Sequence, residues 1–214
     1  MLLRGGFDLG QLVYQVLSLL VAFTVHELAH GLVALWLGDR TAKNSGRLTL
    51  NPLRHIDWVG FLMIMIAGIG WAKPVMVDYR NFKNPKVDFA LTAAGGPISN
   101  MLMAFVLLFI AVPFGMHAPF NSFTVVVSRF LLTCASWNIM LAVFNMLPLP
   151  PLDGSKIFGA ILPDEMYFRF ISGGRFSMII IMVLAFSGML GRIIGPLMQT
   201  TFGGMLRFIE SIFT

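Results

Sequence analysis

Two histidines and a glutamate lie within five consecutive residues near the start of the chain, in the sequence His26-Glu27-Leu28-Ala29-His30. In a helix, residues four apart share one face, so both imidazoles can bind a single Zn²⁺ ion. Glu27 is next to these ligands and can serve as the general base for zinc-activated water. The alternative is a buried His–Glu hydrogen-bonded pair that only fixes helix packing.

A catalytic zinc takes a third protein ligand and keeps one position open for water. The other histidines and glutamates are far from the pair or in loops predicted on opposite sides of a membrane: His55, His117, Glu165 and Glu210. Leu37 occupies the position where a metzincin would have its third histidine. Among the aspartates, Asp153 is the candidate, because it follows Pro150-Pro151-Leu152 at the end of a long apolar segment. The alternative for Asp153 is a turn aspartate preceding a glycine.

The elements that position these residues must be strongly apolar, because 57% of the 214 residues are hydrophobic and only 12% are charged. Soluble proteins contain about 45–50% apolar and about 25% charged residues. A soluble protein of this size could not bury so much apolar surface in one core. The net charge of +5 is carried between apolar segments, which indicates orientation in a membrane and not nucleic-acid binding. The composition therefore predicts a multi-pass protein of the lipid bilayer with no nucleic-acid partner.

Five apolar segments predict an all-α polytopic membrane protein with about four to five transmembrane helices: about 11–37, 87–112, 124–147, 176–190 and 193–213. A further apolar piece, 59–71, is too short to span comfortably and contains Gly60, Gly68 and Gly70. We predict that it is re-entrant or interfacial, which requires that protein or water satisfies its backbone.

Residues 46–50 and 74–79 flank this re-entrant piece and contain alternating or β-branched side chains. This pattern predicts a small membrane-associated β-hairpin or sheet. The sequence has no repeat and no low-complexity linker, so we expect one integral-membrane domain over 1–214. Its catalytic core covers about 11–155, and C-terminal helices follow over 156–214.

Lysine and arginine counts in the loops predict the orientation of the chain. Residues 38–88 contain eight of these cations, 154–175 contain three, and 113–123 contain none. The first two sections are therefore predicted to be cytoplasmic, with the N-terminus outside. The helix with the histidine pair and the helix before Asp153 then both run inward, so the three ligands reach the cytoplasmic side at similar depth.

Two motifs together resemble the site-2 protease family of intramembrane zinc metalloproteases. They are H-E-L-A-H at 26–30 and N-x-L-P-x-P-P-L-D-G at 145–154, and the resemblance extends over about 20–155, including 46–52 and 95–100. It implies a minimal form of the family, since no PDZ or nucleotide-sensing domain is visible in the sequence.

The same resemblance implies that His26, His30 and Asp153 bind zinc and that Glu27 activates water. It also implies that Asn145 positions substrate or stabilises the oxyanion, with an interhelical hydrogen bond as the alternative. Asn100 follows a run of small residues that allows close helix approach, so packing is its expected role and substrate contact the weaker expectation.

These observations predict an enzyme with one Zn²⁺ per chain that hydrolyses peptide bonds in or near transmembrane segments of substrate proteins. Its predicted location is a prokaryotic cell membrane, with the active site toward the cytoplasm. The alternative is a membrane metal-ion transporter or channel that uses the same His/Glu/Asp cluster. Transporters usually contain internal repeats, and this sequence shows none.

Overall fold

The computed structural model describes residues 9–67, 71–119 and 121–213, and these residues form helices, turns and extended segments. The helices in chain order are α1 Leu9–Trp36, α2 Thr41–Asn44, α3 Trp58–Ala67, α4 Pro85–His117, α5 Ser122–Asn145, α6 Asp153–Gly159, α7 Asp164–Ser172, α8 Gly174–Phe186 and α9 Met189–Phe213. Short 3₁₀ turns are present at Pro52–Arg54 and Tyr79–Asn81.

Three of the described helices are long and apolar enough to cross a membrane, namely α1, α4 and α5. They correspond to the first three predicted spans and confirm a multi-pass membrane protein. A fourth span results if α7 and α8 count as one, although a bend of 56° separates their axes. The predicted four to five spans are therefore matched by three or four.

The last predicted span, 193–213, is helical but has one polar face. Arg192, Gln199, Thr200 and Arg207 recur at helical spacing along its exposed side. The opposite side is apolar, and its Ile194 and Ile209 are buried against α4 and α5. The number of apolar residues predicted a membrane span here. That number does not show that the polar residues all lie on one face of the helix.

Helix α4 is central to the packing, since α1 and α5 both lie against it. Small and branched side chains fill the contact between α4, α5 and α9: Ala104, Leu108, Ala135, Ile139 and Ile209. Asn100 adds a buried polar link, because its Nδ2 donates to Asn138 Oδ1 on α5 at 2.8 Å and to Ala22 O on α1 at 3.1 Å. One side chain thus joins the three long helices by interhelical hydrogen bonds.

The predicted β-hairpin is wrong, because no strand is present among the described residues. Thr49 N–H bonds back to Arg47 O at 3.0 Å, which makes a turn instead of an extended strand. Residues 72–78 have no regular secondary structure, and Val75 and Asp78 donate their N–H groups to carboxylates of Glu27 and Asp39. The sequence pattern of a strand does not show which groups accept the backbone N–H bonds. Here the acceptors are side-chain carboxylates and not the carbonyl groups of a neighbouring strand.

Helix α3 covers the first part of the predicted re-entrant piece, and residues 68–70 of that piece lie outside the described residues. Asp57 Oδ1 caps the helix by accepting from the N–H groups of Val59 and Gly60 at 3.0 and 2.9 Å. Trp71 lies against Gly60, so closely that a Cβ on Gly60 would contact the Trp71 carbonyl. The chain therefore returns to the beginning of α3 after the helix ends.

Candidate active site

His26 and His30 lie on one face of α1, as their spacing predicts, with ring centroids 4.6 Å apart and the rings nearly perpendicular. His26 is buried and His30 is mostly buried. Both project toward α4, which passes close to α1 at this level.

Oxygen atoms of α4 fix the orientation of both imidazoles. His26 Nδ1 is 2.7 Å from Asn100 Oδ1, and His30 Nδ1 is 2.8 Å from Thr92 O. The Asn100 amide is oriented by its two acceptors, Ala22 O and Asn138 Oδ1, so its oxygen must face His26. Each Nδ1 is therefore the donor, and in a neutral imidazole the Nε2 atom then carries a lone pair.

Asp153 supplies a third electron-pair donor at the same point. Its Oδ2 is 3.1 Å from His26 Nε2 and 3.2 Å from His30 Nε2. The three ligand atoms all lie within 4.8 Å of one another. A tetrahedral zinc site with metal–ligand distances of about 2.0–2.1 Å separates its ligand atoms by about 3.3 Å. With both imidazoles neutral, three electron-pair donors converge on one point, which fits a bound cation. The donor set of two imidazoles and a carboxylate fits zinc.

The residues before and after Asp153 hold its backbone in place. Helix α5 ends at Asn145 and α6 begins at Asp153, so the proline-rich link between them turns the chain. Gly154 packs directly on the carbonyl groups of Met146 and Leu147, and a Cβ there would overlap with them. Ser155 Oγ donates to Leu152 O at 2.6 Å. This tight turn directs the Asp153 carboxylate toward the histidine pair.

Gly96 of α4 lies directly over both imidazoles. A Cβ on this residue would lie 2.6 Å from His26 Cε1 and 2.6 Å from His30 Nε2, well inside van der Waals contact. We expect Gly96→Ala to weaken zinc binding at least about 10-fold, because the rings cannot retreat without losing their Nδ1 hydrogen bonds. The measurement is a zinc competition titration of the purified protein.

Gly115→Ala is the matched control for this prediction, since Gly115 lies in the same helix with nothing within 4 Å of the added Cβ. It should bind zinc as the wild type does. Wild-type zinc affinity in Gly96→Ala would show that the imidazoles are not confined as the structure describes.

Glu27 lies beside the histidine pair and is buried, with 8% of its surface exposed. Its Oε2 accepts a hydrogen bond from Val75 N–H at 2.8 Å. Val75 belongs to segment 72–78, and its side chain lies beside Gly31 of α1. Two further bonds hold this segment, from Lys73 N–H to His55 O at 2.9 Å and from Asp78 N–H to Asp39 Oδ2 at 2.8 Å.

Asp39 secures the far end of the 72–78 segment. It is fully buried and also accepts from Thr41 N–H at 3.0 Å and Asn81 Nδ2 at 2.8 Å. Desolvation by burial raises the pKa of Asp39, but the hydrogen bonds from Thr41 and Asn81 outweigh it and lower the pKa below its usual value. The Asp39 carboxylate therefore stays ionised and continues to accept the hydrogen bond from Asp78 N–H.

A cavity of about 410 Å³ opens onto His26, His30 and Asp153, the candidate metal ligands, which we call the metal-ligand cluster. Its chemically active lining consists of His26, Glu27, His30, Asn145, Asp153 and Lys156. A second cavity, of about 440 Å³, lies between α4, α5 and α9 and is lined by apolar side chains such as Met101, Phe105 and Met205. The second cavity offers no group for chemistry, so the first is the candidate active site.

Comparison with known proteins decides the family of this chain. The model of Peptidase family M50 matches residues 110–191. A protein of Bacillus subtilis (strain 168) named "Putative zinc metalloprotease YwhC" is 36% identical over 210 residues, which cover 97% of this chain and 95% of that protein. The chain belongs to peptidase family M50. This confirms the resemblance found in the sequence.

Two more distant relatives of this M50 protein have names of the same kind. "Putative zinc metalloprotease Rip2" of Mycolicibacterium smegmatis is 27% identical over 161 residues, covering 72% of this chain and 58% of that protein. "Putative zinc metalloprotease MJ0611" of Methanocaldococcus jannaschii is 27% identical over 165 residues, covering 71% of this chain and 72% of that protein. No solved structure matches the chain.

The structure brings every predicted site residue of this M50 protein to one cavity. Asn145 is half-buried at its wall, where its Nδ2 donates to Leu141 O of its own helix at 3.0 Å. Asn100, whose expected role is packing, also accepts a hydrogen bond from His26 Nδ1. Sequence reasoning missed Lys156 and the Thr92 carbonyl. The signal for Lys156 was its position three residues after Asp153, whereas no residue type marks a backbone carbonyl.

Proposed function

We propose that this M50 protein is an intramembrane zinc metalloprotease that hydrolyses peptide bonds in or near transmembrane segments of substrate proteins. The observation that carries the proposal is the convergence of His26 Nε2, His30 Nε2 and Asp153 Oδ2 on one point beside the Glu27 carboxylate. Metal ligands plus an adjacent carboxylate base form the minimal set for metal-assisted peptide hydrolysis.

His26, His30 and Asp153 would hold one Zn²⁺ per chain. When bound there, zinc supplies Lewis-acid polarisation of a carbonyl group and makes water more acidic. Asn100 and Thr92 support the ligands by accepting from the two Nδ1–H groups, which fixes the tautomer that binds metal.

Glu27 acts as the general base in this proposal. Its carboxylate accepts a proton from water in the cavity as the water oxygen adds to the scissile carbonyl carbon. It returns that proton to the amine nitrogen as the C–N bond breaks. The bond from Val75 N–H holds one of its oxygens in place, so the carboxylate need not reorganise before it reacts. Its burial among apolar helices strengthens each of these electrostatic interactions.

Asn145 contacts the substrate in this proposal. One N–H of its amide is used by Leu141 O, and a primary amide has a second N–H and an oxygen to offer. A donor at the cavity wall can polarise or position the scissile carbonyl.

The substrates we propose are transmembrane proteins, because the cavity lies among helices that the bilayer surrounds. We also propose that the protein lies in a prokaryotic cell membrane with its active site toward the cytoplasm and its N-terminus outside. The lysines and arginines of residues 38–88 and 154–175 support this orientation. We further propose that residues 1–214 act as one integral-membrane domain, whose catalytic core covers about 11–155.

Metal removal tests the proposal. We expect the purified protein to contain one zinc per chain and to cleave a model transmembrane substrate in detergent or liposomes. Treatment with a chelator should abolish cleavage, and zinc added afterwards should restore it, because the ligand cluster is preformed by its hydrogen bonds.

The controls separate this function from metal transport through the same cluster. Cleavage by the untreated protein, together with no zinc flux in proteoliposomes, supports the protease. Zinc flux without cleavage of any transmembrane substrate would replace the proposal by a transporter. Cleavage that survives complete zinc removal would contradict the metal mechanism.

A further inference from the structure

The second carboxylate oxygen of Asp153 has its own partner. While Oδ2 faces both imidazoles, Oδ1 accepts from Lys156 Nζ at 3.1 Å. Both side chains are largely shielded, with 7% of the Asp153 and 25% of the Lys156 side chain exposed. The two oxygens of one ligand are thus divided between the metal-ligand cluster and a lysine.

The position of the Lys156 ammonium is fixed from two sides. Asp153 and Lys156 are three residues apart in α6, so their side chains lie on one face of that helix. The ammonium also lies over the Phe89 ring of α4, 5.3 Å from its centroid, a cation–π contact. Lys156 and Phe89 both line the active-site cavity.

A second lysine shows the same pair of contacts away from the site. Lys86 Nζ is 3.1 Å from Asp164 Oδ1 and 5.5 Å from the centroid of the Tyr167 ring, and 25% of its side chain is exposed. Its carboxylate partner is 81% exposed and is no part of the metal-ligand cluster. Lys86 also donates to Leu162 O. What matters for the metal is that the carboxylate bound by Lys156 belongs to the metal-ligand cluster and the carboxylate bound by Lys86 does not.

A carboxylate ligand can bind a metal through one oxygen or through both. A catalytic zinc has three protein ligands and needs its fourth position open. If both oxygens of Asp153 bound the metal, the second would compete for that open position. A lysine that donates to Oδ1 disfavours binding of the metal by both oxygens, because Oδ1 would have to give up a charge-assisted hydrogen bond.

We propose that Lys156 is a positioning residue that keeps Asp153 bound to the metal through Oδ2 alone and so preserves an open coordination position. This inference rests on the proposed function, since it concerns the same metal. On this proposal, replacing Lys156 changes the coordination number of the bound metal and does not weaken metal binding.

The test replaces Lys156 by Met, Leu and Arg and loads each variant with Co²⁺, whose visible absorption is strong in four-coordinate and weak in five-coordinate sites. We expect Lys156→Met and Lys156→Leu, which have no donor for Oδ1, to bind Co²⁺ at least as tightly as the wild type does, with weaker visible bands. Turnover of the zinc-loaded forms should fall about 10- to 100-fold. Lys156→Arg keeps a donor to Oδ1 and should retain the wild-type spectrum and most of the turnover.

Lys86→Met is the matched control and should change neither the spectrum nor turnover. A wild-type Co²⁺ spectrum in Lys156→Met and Lys156→Leu, weaker Co²⁺ binding in them, or loss of the folded state in both would overturn the inference. Absence of Co²⁺ binding in the wild type itself would instead reject the metal site, so failure of this inference and failure of the proposed function are distinct.

Discussion

Glu27→Gln is expected to retain one zinc per chain and to lose peptide hydrolysis by about 10²- to 10⁴-fold, the usual contribution of a general base. Gln has nearly the shape of Glu, and its amide oxygen can still accept from Val75 N–H, which Glu27 Oε2 accepts at 2.8 Å. The fold and the metal ligands should therefore be unchanged, while the group that takes the proton is lost. Zinc stoichiometry and cleavage of a model transmembrane substrate, measured on one preparation, check both halves of the prediction.

Glu165→Gln is the control for this variant, because Glu165 is an exposed glutamate of α7 outside the cavity. It should behave as the wild type in both measurements. Cleavage by Glu27→Gln at the wild-type rate would remove Glu27 from the mechanism. Loss of zinc from Glu27→Gln would mean that this carboxylate supports the metal site and would leave its role as a base unsupported.

Asp153→Ala is expected to lower zinc affinity by more than about 100-fold, beyond the range seen when outer partners of a ligand are removed. The variant loses the only anionic member of the cluster formed with His26 and His30. It also leaves the Lys156 ammonium, now without its carboxylate, beside the two imidazoles, which further disfavours a cation there. A competition titration with a chelator of known zinc affinity measures the change.

Asp164→Ala serves as the comparison, since the Asp164 side chain is 81% exposed and pairs with Lys86 away from the cluster. It should bind zinc with wild-type affinity. If Asp153→Ala also keeps wild-type affinity, the third ligand is a different residue and the assignment of Asp153 is wrong.

Much of this molecule could be predicted from sequence because two of its signals are local. The spans α1, α4 and α5 follow from long apolar runs, which have to be helical inside a bilayer. The face shared by His26 and His30 follows from helical periodicity alone. Asp153 was reached by excluding other ligands and by following the direction of the helices, and the structure places it against both histidines.

The features that could not be predicted from the sequence depend on contacts between residues that are far apart in the chain. Val75 and its neighbours have the composition of a strand, but the partner of the Val75 N–H is Glu27, 48 residues away. The role of Asn100 depends on its fitting between Ala22, His26 and Asn138, which lie on two other helices. Helix α9 is apolar in composition but polar along one face. Helical spacing can identify that face, but it does not show that the opposite face packs against α4 and α5.

The distance in sequence between the metal ligands has a consequence for biosynthesis. His26 and Asp153 are 127 residues apart, and the Asn100 that orients His26 comes 74 residues after it. At the usual 5–20 residues per second of translation, roughly 6 to 25 s pass between synthesis of the first ligand and of the last. During this interval the nascent chain lacks Asp153, so the three candidate ligands cannot come together until α1, α4 and α5 have been synthesised. Formation of the proposed zinc site is thereby delayed until the three long helices are present.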